Sequence, residues 1–349
     1  MERLSGYFEK IADRSTISRA AFRAAAGKRH RADIVAFLNR LDQEACQIVD
    51  RMICQTSGSF LTSENNDLFG SYSSFQVRDT KTRTIHAPSF SARVVHHAII
   101  DIIGPALEKG AYRHSYACRK GYGQHAAIRQ ARKWIEPDLW YLKMDMNKFY
   151  DSVDHATLLT MLHRRFRDPR LMQLLEQLIE SYEVSPGKGI PIGALTSQYF
   201  GNFYLDAVDR WIKQTMRIRR YLRYMDDLLL IGESRSLREV LQRMPEVLDA
   251  LQLTVKHSGE LNRMMHGIPF LGFVLFPHRT SLNKMGKQRL RRRLNRIHSD
   301  LQTGIRSEAL GMQQAESMLA HAQWDRKAIR RASATVRGRE HSALVGEFG

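Results

Sequence analysis

Acidic residues are the first shortage in this sequence: 36 Asp and Glu stand against 54 Lys and Arg in 349 residues, a net charge of +18. Solubility does not require so one-sided a balance, and it points to a polyanionic partner, nucleic acid above all. Cysteine is scarce too. Cys46, Cys54 and Cys118 are odd in number and none has C-x-x-C spacing, which argues against a disulfide framework or zinc site. They read as small buried or semi-exposed residues in a reducing compartment. No apolar run approaches the ~18 residues of a membrane span, and the charged N-terminus has no secretory core. The expected location is cytoplasmic, with no membrane partner. There is no internal repeat and no long low-complexity tract. The 43% hydrophobic content argues against disorder and is ordinary for a globular chain.

Residues 1 to about 56 read as helical and basic, followed by a polar loop over Ser57 to Asn66. Tyr72 to Val77 and Arg83 to Ala87 predict a hairpin turning at Asp79 to Thr82. Val95, Ala98, Ile99, Ile102, Ile103 and Leu107 recur at helical spacing after Ser89, and Gly110 ends that helix. A basic, Gly-rich turn, Arg119 to Gly123, opens a second helix reaching about Trp134. Tyr141 to Met144 predicts a buried strand ending at Asp145, and two helices follow, near Asp154 to Arg165 and Pro169 to Tyr182. After a Pro/Gly-rich loop, a helix begins near Ser197. Strands are expected at Leu253 to His257 and Ile268 to Phe276, with a helix between Ser236 and Leu251 before them. The order predicts an α+β fold with helices on one face of a sheet.

Leu222 to Ile231 carries the chemistry. Asp226 and Asp227 interrupt an apolar stretch, so a tight hairpin with a charged tip is expected. Adjacent carboxylates near a core repel each other unless a cation sits among them. Oxygen ligands select hard ions such as Mg²⁺. Asp145 at a strand end supplies a third carboxylate. Three at one sheet edge would hold two metals ~3.5–4 Å apart for in-line phosphoryl transfer. The string alone equally allows a solvated turn at Asp226-Asp227 and a helix cap at Asp145.

Four boxes in order carry a resemblance to reverse transcriptases. Tyr224-Met225-Asp226-Asp227 resembles their YxDD box, and Lys143 to Asp151 resembles the aspartate–aromatic box before it. Ile190 to Gln198 resembles the substrate loop, and Phe270-Leu271-Gly272-Phe273 the primer-grip hairpin. The resemblance runs from about Phe75 to the C-terminus. It implies a right-hand polymerase fold with fingers, an antiparallel palm sheet with helices, and a helical thumb. The implied domains are a basic N-terminal extension at 1–65, fingers and palm at 66–282, and a thumb at 283–349.

The implied activity is RNA-directed DNA synthesis from dNTPs on a template RNA with a DNA or RNA primer. Asp145, Asp226 and Asp227 would be catalytic and, with Met146, would hold two Mg²⁺ ions, Mn²⁺ being a substitute. Tyr150 is the implied gate against a 2′-hydroxyl, with Phe149 as the other candidate ring. The nucleotide site would also take Lys81, Arg83, Arg93, Ile192, Gly193 and Gln198. Arg119 and Lys120 are further phosphate candidates, and Lys256 a candidate general acid. Phe270, Leu271 and Gly272 would grip the primer. Lys284, Lys287, Arg291, Arg292 and Arg293 would track duplex phosphates, since no acid stands between Lys284 and His298.

The loop residues Ile192-Gly193 and Ser197-Gln198 differ from the retroviral pattern and resemble reverse transcriptases of diversity-generating retroelements. Ser89 to Ala98, Tyr116 to His125 and His321-Ala322-Gln323-Trp324 resemble that group as well. This bacterial and phage group makes errors at template adenines to diversify a target gene, and works with a small basic accessory protein. The alternatives are a defence-associated or retron-like enzyme, or an inactive RNA-binding polymerase fold. A group II intron enzyme is disfavoured here because no maturase or endonuclease segment follows the thumb.

Overall fold

The computed structural model describes residues 6–56, 68–70, 72–78, 82–256 and 259–325. Lys81, the residues 79 and 80 of the expected turn, and the tail from 326 lie outside the described residues.

The N-terminal region forms four helices, α1 (Phe8–Ile11), α2 (Arg14–Ala24), α3 (Ala32–Asn39) and α4 (Leu41–Thr56). Asp13 starts α2 by accepting the Thr16 N–H at 2.9 Å. Strands β1 (Tyr72–Arg78) and β2 (Thr82–Pro88) pair antiparallel from Tyr72↔Pro88 to Arg78↔Thr82. Their side chains are mostly exposed, and a lone hairpin is marginal in water. Contacts at its base hold it: the Tyr72 hydroxyl lies 3.1 Å from Ser181 Oγ, and the Tyr182 ring packs against Tyr72 and His86.

Helix α5 (Phe90–Glu108) starts where Ser89 Oγ accepts the Ala92 N–H at 3.3 Å, and it buries the predicted apolar face against α2 and, further along the chain, the helix Leu195–Tyr204. Next come α6 (Gln124–Lys133), β3 (Trp140–Asp145), α7 (Phe149–Ser152), α8 (His155–Arg165), α9 (Pro169–Glu180), α10 (Leu195–Tyr204) and α11 (Asp206–Arg210). Asp168 caps α9 through Leu171 N–H at 3.1 Å, and its other oxygen accepts the Tyr7 and Phe8 N–H groups, each at 2.9 Å. One buried carboxylate thus ties α1 to α9, with both of its oxygens hydrogen-bonded. Six apolar residues of α9 are buried, Leu174 and Leu175 completely. Each fully buried side chain of this size contributes roughly 1.5–3 kcal/mol over exposure.

A single π turn, Trp211–Thr215, leads into β4 (Arg220–Tyr224) and β5 (Asp227–Gly232). Strand β5 lies between β4 and β3. Helix α12 (Ser234–Asp249) follows, then β6 (Glu260–Arg263), β7 (Ile268–Phe270), β8 (Phe273–Leu275) and β9 (Thr280–Leu282). The chain ends its described course in α13 (Lys284–Gln302) and α14 (Glu308–His321).

The chain divides into two compact units. The first comprises residues 1–123, 143–230 and 238–259, and the second 124–142, 231–237 and 260–349. In the second, β7, β8 and β9 form an antiparallel sheet, and Asn283 caps α13 by accepting the Gly286 N–H at 2.7 Å. Asp325 accepts the Leu282 N–H at 2.9 Å, and Trp324 donates to His125 Nδ1 at 3.1 Å, so the stretch after α14 packs on β9 and α6.

Two sequence expectations are corrected. Leu253 to Lys256 is not a strand: only Val255 bridges, to Met146. Ile268 to Phe276 is a hairpin, because Leu271 (φ 47°) and Gly272 (φ 81°) reverse the chain. Leucine is not a usual turn residue, so the apolar run alone reads as one strand, while the resemblance of Phe270 to Phe273 to the primer-grip hairpin implies the turn. Among the described residues no helix is long and apolar enough to cross a membrane.

Candidate active site

Apolar flanks bury β4 and β5, and the link between them is two residues long, so the acidic tip is held at one end of the sheet. The turn is formed by Met225 and Asp226, while Asp227 is the first residue of β5. Asp145 ends β3 beside it. Burial pushes the Asp226 carboxyl up to about 6, helped by the negative charge of Asp145. Asp227 instead faces Lys143, with Nζ at 3.7 Å. Among the described residues no three His, Cys, Asp or Glu side chains form a ready-made metal cluster. The segment around Asp145 is pinned by its backbone: Lys256 N–H donates to the Asp145 carbonyl at 2.7 Å, and Asn147 N–H to Thr254 at 2.8 Å.

Below the tip is a buried network that sequence reading missed. Arg223 and Asp209 are each 1% exposed and form a fork, Nε to Oδ1 at 2.8 Å and Nη2 to Oδ2 at 2.7 Å. The Tyr221 hydroxyl donates to Asp209 Oδ1 at 2.5 Å. Arg223 Nη1 reaches Asn202 Oδ1 at 2.9 Å and the Met225 carbonyl at 3.2 Å. Met225 has φ 52°, a left-handed conformation that costs a non-glycine residue about 1–2 kcal/mol. The only signal in the sequence is a charge at a position where an apolar strand residue is expected.

Tyr150 and Phe149 sit on α7 and divide as the two-ring expectation allows. Phe149 is 2% exposed, and its ring lies against Gly201, where a Cβ would stand 3.0 Å from Cε1. Tyr150 is half-buried, and burial raises its phenol pKa, with Cys118, Asp226 and Arg83 among the groups near enough to act on it. In the substrate loop, the Ile192 carbonyl accepts the His86 N–H of β2 at 2.8 Å. Gly193 (φ 122°) has no room for a side chain: a Cβ would meet Ile85 Cγ2 at 2.7 Å. Gln198 is half-buried on α10.

The basic residues separate. Arg83 is exposed on β2. Arg93 is half-buried, donates to the Pro88 carbonyl at 3.4 Å and lies near the cations Lys28 and Arg31, which sequence reading did not single out. Arg119 donates to the Tyr112 and Ser115 carbonyls, each at 3.0 Å, and covers the Tyr122 ring at 4.2 Å, which makes it a loop brace. Lys120 is exposed.

In the second unit Phe270 is buried, and Leu271 and Gly272 make the β7–β8 turn. Gln124 Nε2 donates to the Leu271 carbonyl at 2.6 Å, and Asn283 N–H to the Gly272 carbonyl at 2.9 Å. Helix α13 buries Leu290, Leu294 and Ile297 in one stripe and exposes Lys284, Lys287, Arg291, Arg292 and Arg293.

Residues 76–275 match the family model described as reverse transcriptase (RNA-dependent DNA polymerase). The chain belongs to that family. The matched span of this reverse transcriptase-family chain holds all three aspartates and the Ile192 loop. Over 181 residues it is 25% identical to protein YkfC of Escherichia coli K12, covering 48% of each chain. It is 21% identical to the group II intron-encoded protein LtrA of Lactococcus lactis subsp. cremoris, over 38% of this chain and 23% of LtrA. The chain thus spans about half, or less, of the length of these relatives. Among solved structures, telomerase from Candida albicans with a fragment of telomeric RNA aligns at TM-score 0.49 and 12% identity, covering 77% of this chain and 60% of that one.

Proposed function

We propose that this chain is an RNA-directed DNA polymerase that copies a template RNA into cDNA by two-metal phosphoryl transfer. The observation that carries the reading is the placement of Asp145 at the end of β3 beside the β4–β5 turn that bears Asp226 and Asp227, where burial and the nearby charge of Asp145 raise Asp226 to about 6. A divalent cation relieves that repulsion, so the donor set fits Mg²⁺, or Mn²⁺ in its place. Asp145, Asp226 and Asp227 with the Met146 carbonyl would hold the ions, which when bound activate a primer hydroxyl and offset charge on the leaving pyrophosphate.

The chain's own residues orient the reactants. Tyr150 lines the sugar side of the site and excludes a 2′-hydroxyl by bulk. Arg83 and Lys81 take the triphosphate, with Arg93 beside them, and Ile192, Gly193 and Gln198 form the loop under the nascent pair. Phe270, Leu271 and Gly272 hold the primer end. The exposed face of α13 follows duplex phosphates without reading bases. The division into an extension at 1–65, fingers and palm at 66–282 and thumb at 283–349 belongs to the same reading.

Within this activity we assign the chain to diversity-generating retroelements, with errors at adenines and a small basic accessory protein oligomer as partner. Ile192 supports this: it cannot hydrogen-bond near the incoming sugar, so a mispair loses no directional bond there. An intron-type role is the second reading, favoured by the similarity to LtrA. Primer extension on an RNA template with Mg²⁺, followed by cDNA sequencing, tests both levels. Extension that Asp226→Asn abolishes, while RNA binding persists, is expected. Near-normal turnover by that variant refutes the catalytic reading. An error spectrum without adenine excess removes the retroelement assignment alone.

A further inference from the structure

We propose that Arg223 is a positioning residue, coupling the buried Asp209 to the carbonyl of Met225 and so setting Asp226 against Asp145. This deepens the catalytic reading and rests on it. A guanidinium has five N–H donors in a fixed plane, and here every one has an acceptor. Nε meets Asp209 Oδ1 at 2.8 Å, and Nη2 meets Asp209 Oδ2 at 2.7 Å and the Asn202 carbonyl at 3.3 Å. Nη1 meets Asn202 Oδ1 at 2.9 Å and the Met225 carbonyl at 3.2 Å.

The backbone of Arg223 is fixed from the other side. Its N–H donates to the His114 carbonyl at 3.0 Å, and its carbonyl accepts the Tyr116 N–H at 2.9 Å. The Tyr112 hydroxyl holds the neighbouring Tyr221 carbonyl at 2.7 Å. Thus α10, α11 and the 112–116 segment converge on one side chain, whose outermost bond goes to the left-handed residue before Asp226.

Stability alone does not account for this arrangement. A buried ion pair can commonly be replaced by apolar groups of similar volume without loss, because desolvation offsets much of its attraction. What apolar groups cannot supply is a directional bond to the Met225 carbonyl. Asp226 follows immediately in the turn, and Asp145 ends the strand β3 that neighbours β5. A rotation of the turn would separate the two oxygen donors, so the network acts on metal binding and turnover rather than on template affinity.

The test compares the parent, Arg223→Lys and the double variant Arg223→Met with Asp209→Leu. Folding is followed by thermal unfolding, Mn²⁺ binding by electron paramagnetic resonance, and kcat and KM by primer extension. Arg223→Lys keeps the charge opposite Asp209 and should fold even if the double variant does not, but an ammonium cannot span Asp209, Asn202 and Met225 together. Both folded variants should bind Mn²⁺ about tenfold or more weakly, with kcat reduced and KM for primer–template unchanged. Parent-like Mn²⁺ affinity and kcat in folded Arg223→Lys overturn the positioning role alone. A parent that neither binds Mn²⁺ nor extends a primer overturns the catalytic reading, and the proposal with it.

Discussion

The backbone carbonyl of Ile192 accepts a hydrogen bond from the N–H of His86 at 2.8 Å, which joins the substrate loop to strand β2 and so to Arg83. Gly193 makes the approach possible. At φ 122° it lacks a Cβ that would stand 2.7 Å from Ile85 Cγ2 and 3.3 Å from the His86 carbonyl. Gly193→Ala should therefore push the loop off β2, destabilising the fold by about 1–3 kcal/mol. KM for dNTP should rise more than KM for primer–template. Urea unfolding with steady-state kinetics checks this, and parent-like values in both would show that the loop does not depend on this contact.

Tyr150 and Phe149 should respond differently to truncation. Tyr150→Ala opens space beside the sugar and should shift discrimination against ribonucleotides by ~1–3 kcal/mol with little loss of stability. Phe149→Ala removes a ring that is 2% exposed and packed on Gly201, and should cost about 3–5 kcal/mol of stability. Competition between dNTP and rNTP, read on sequencing gels, gives the first number. If only Phe149→Ala alters the ratio, the gate belongs to the other ring.

The exposed cations of α13 make a salt-dependent prediction. Replacing Arg291, Arg292 and Arg293 by Gln should weaken duplex binding irrespective of sequence, because phosphate contacts carry no base information. The slope of log K against log salt should become shallower by up to about one unit per lost contact. Fluorescence anisotropy across a salt series measures it. Unchanged affinity and slope would take this face of the helix off the duplex.

His96 predicts a stability change on acidification. Its ring is fully buried, lies 2.7 Å from Thr196 Oγ1 through Nδ1, and among the described residues has no partner at Nε2. Burial, aided by His97 and Arg93, pushes it from the ordinary 6.5 down to about 3. The unfolded chain therefore takes up a proton below 6.5 that the folded chain refuses until about 3. Stability present above that window is lost as pH falls through it, by up to ~1.4 kcal/mol per pH unit. His96→Gln keeps a partner for Thr196 without titrating, so its unfolding free energy should fall less steeply as pH drops below 6.5. Parallel slopes for parent and variant in urea titrations would mean that His96 is not the group responsible.

The amino-acid sequence by itself determined the local elements and the chemical character of the site. Apolar spacing in α5 and α9, the caps Ser89 and Asp168, and the apolar run broken by Asp226 and Asp227 are all local signals, because helix and strand periods are properties of short segments. Likewise the excess of Lys and Arg on α13 needs no fold to be read. Local signals failed at the Leu271-Gly272 turn, where the Gln124 and Asn283 contacts hold a residue type that does not favour positive φ. Only the tertiary structure decided which distant groups meet. Arg223 finds Asp209 and Asn202 on other elements, Arg93 lies with Lys28 and Arg31, and Ile192 joins His86. A buried charge must find its partner wherever packing places one, and no period within a single segment encodes that distance.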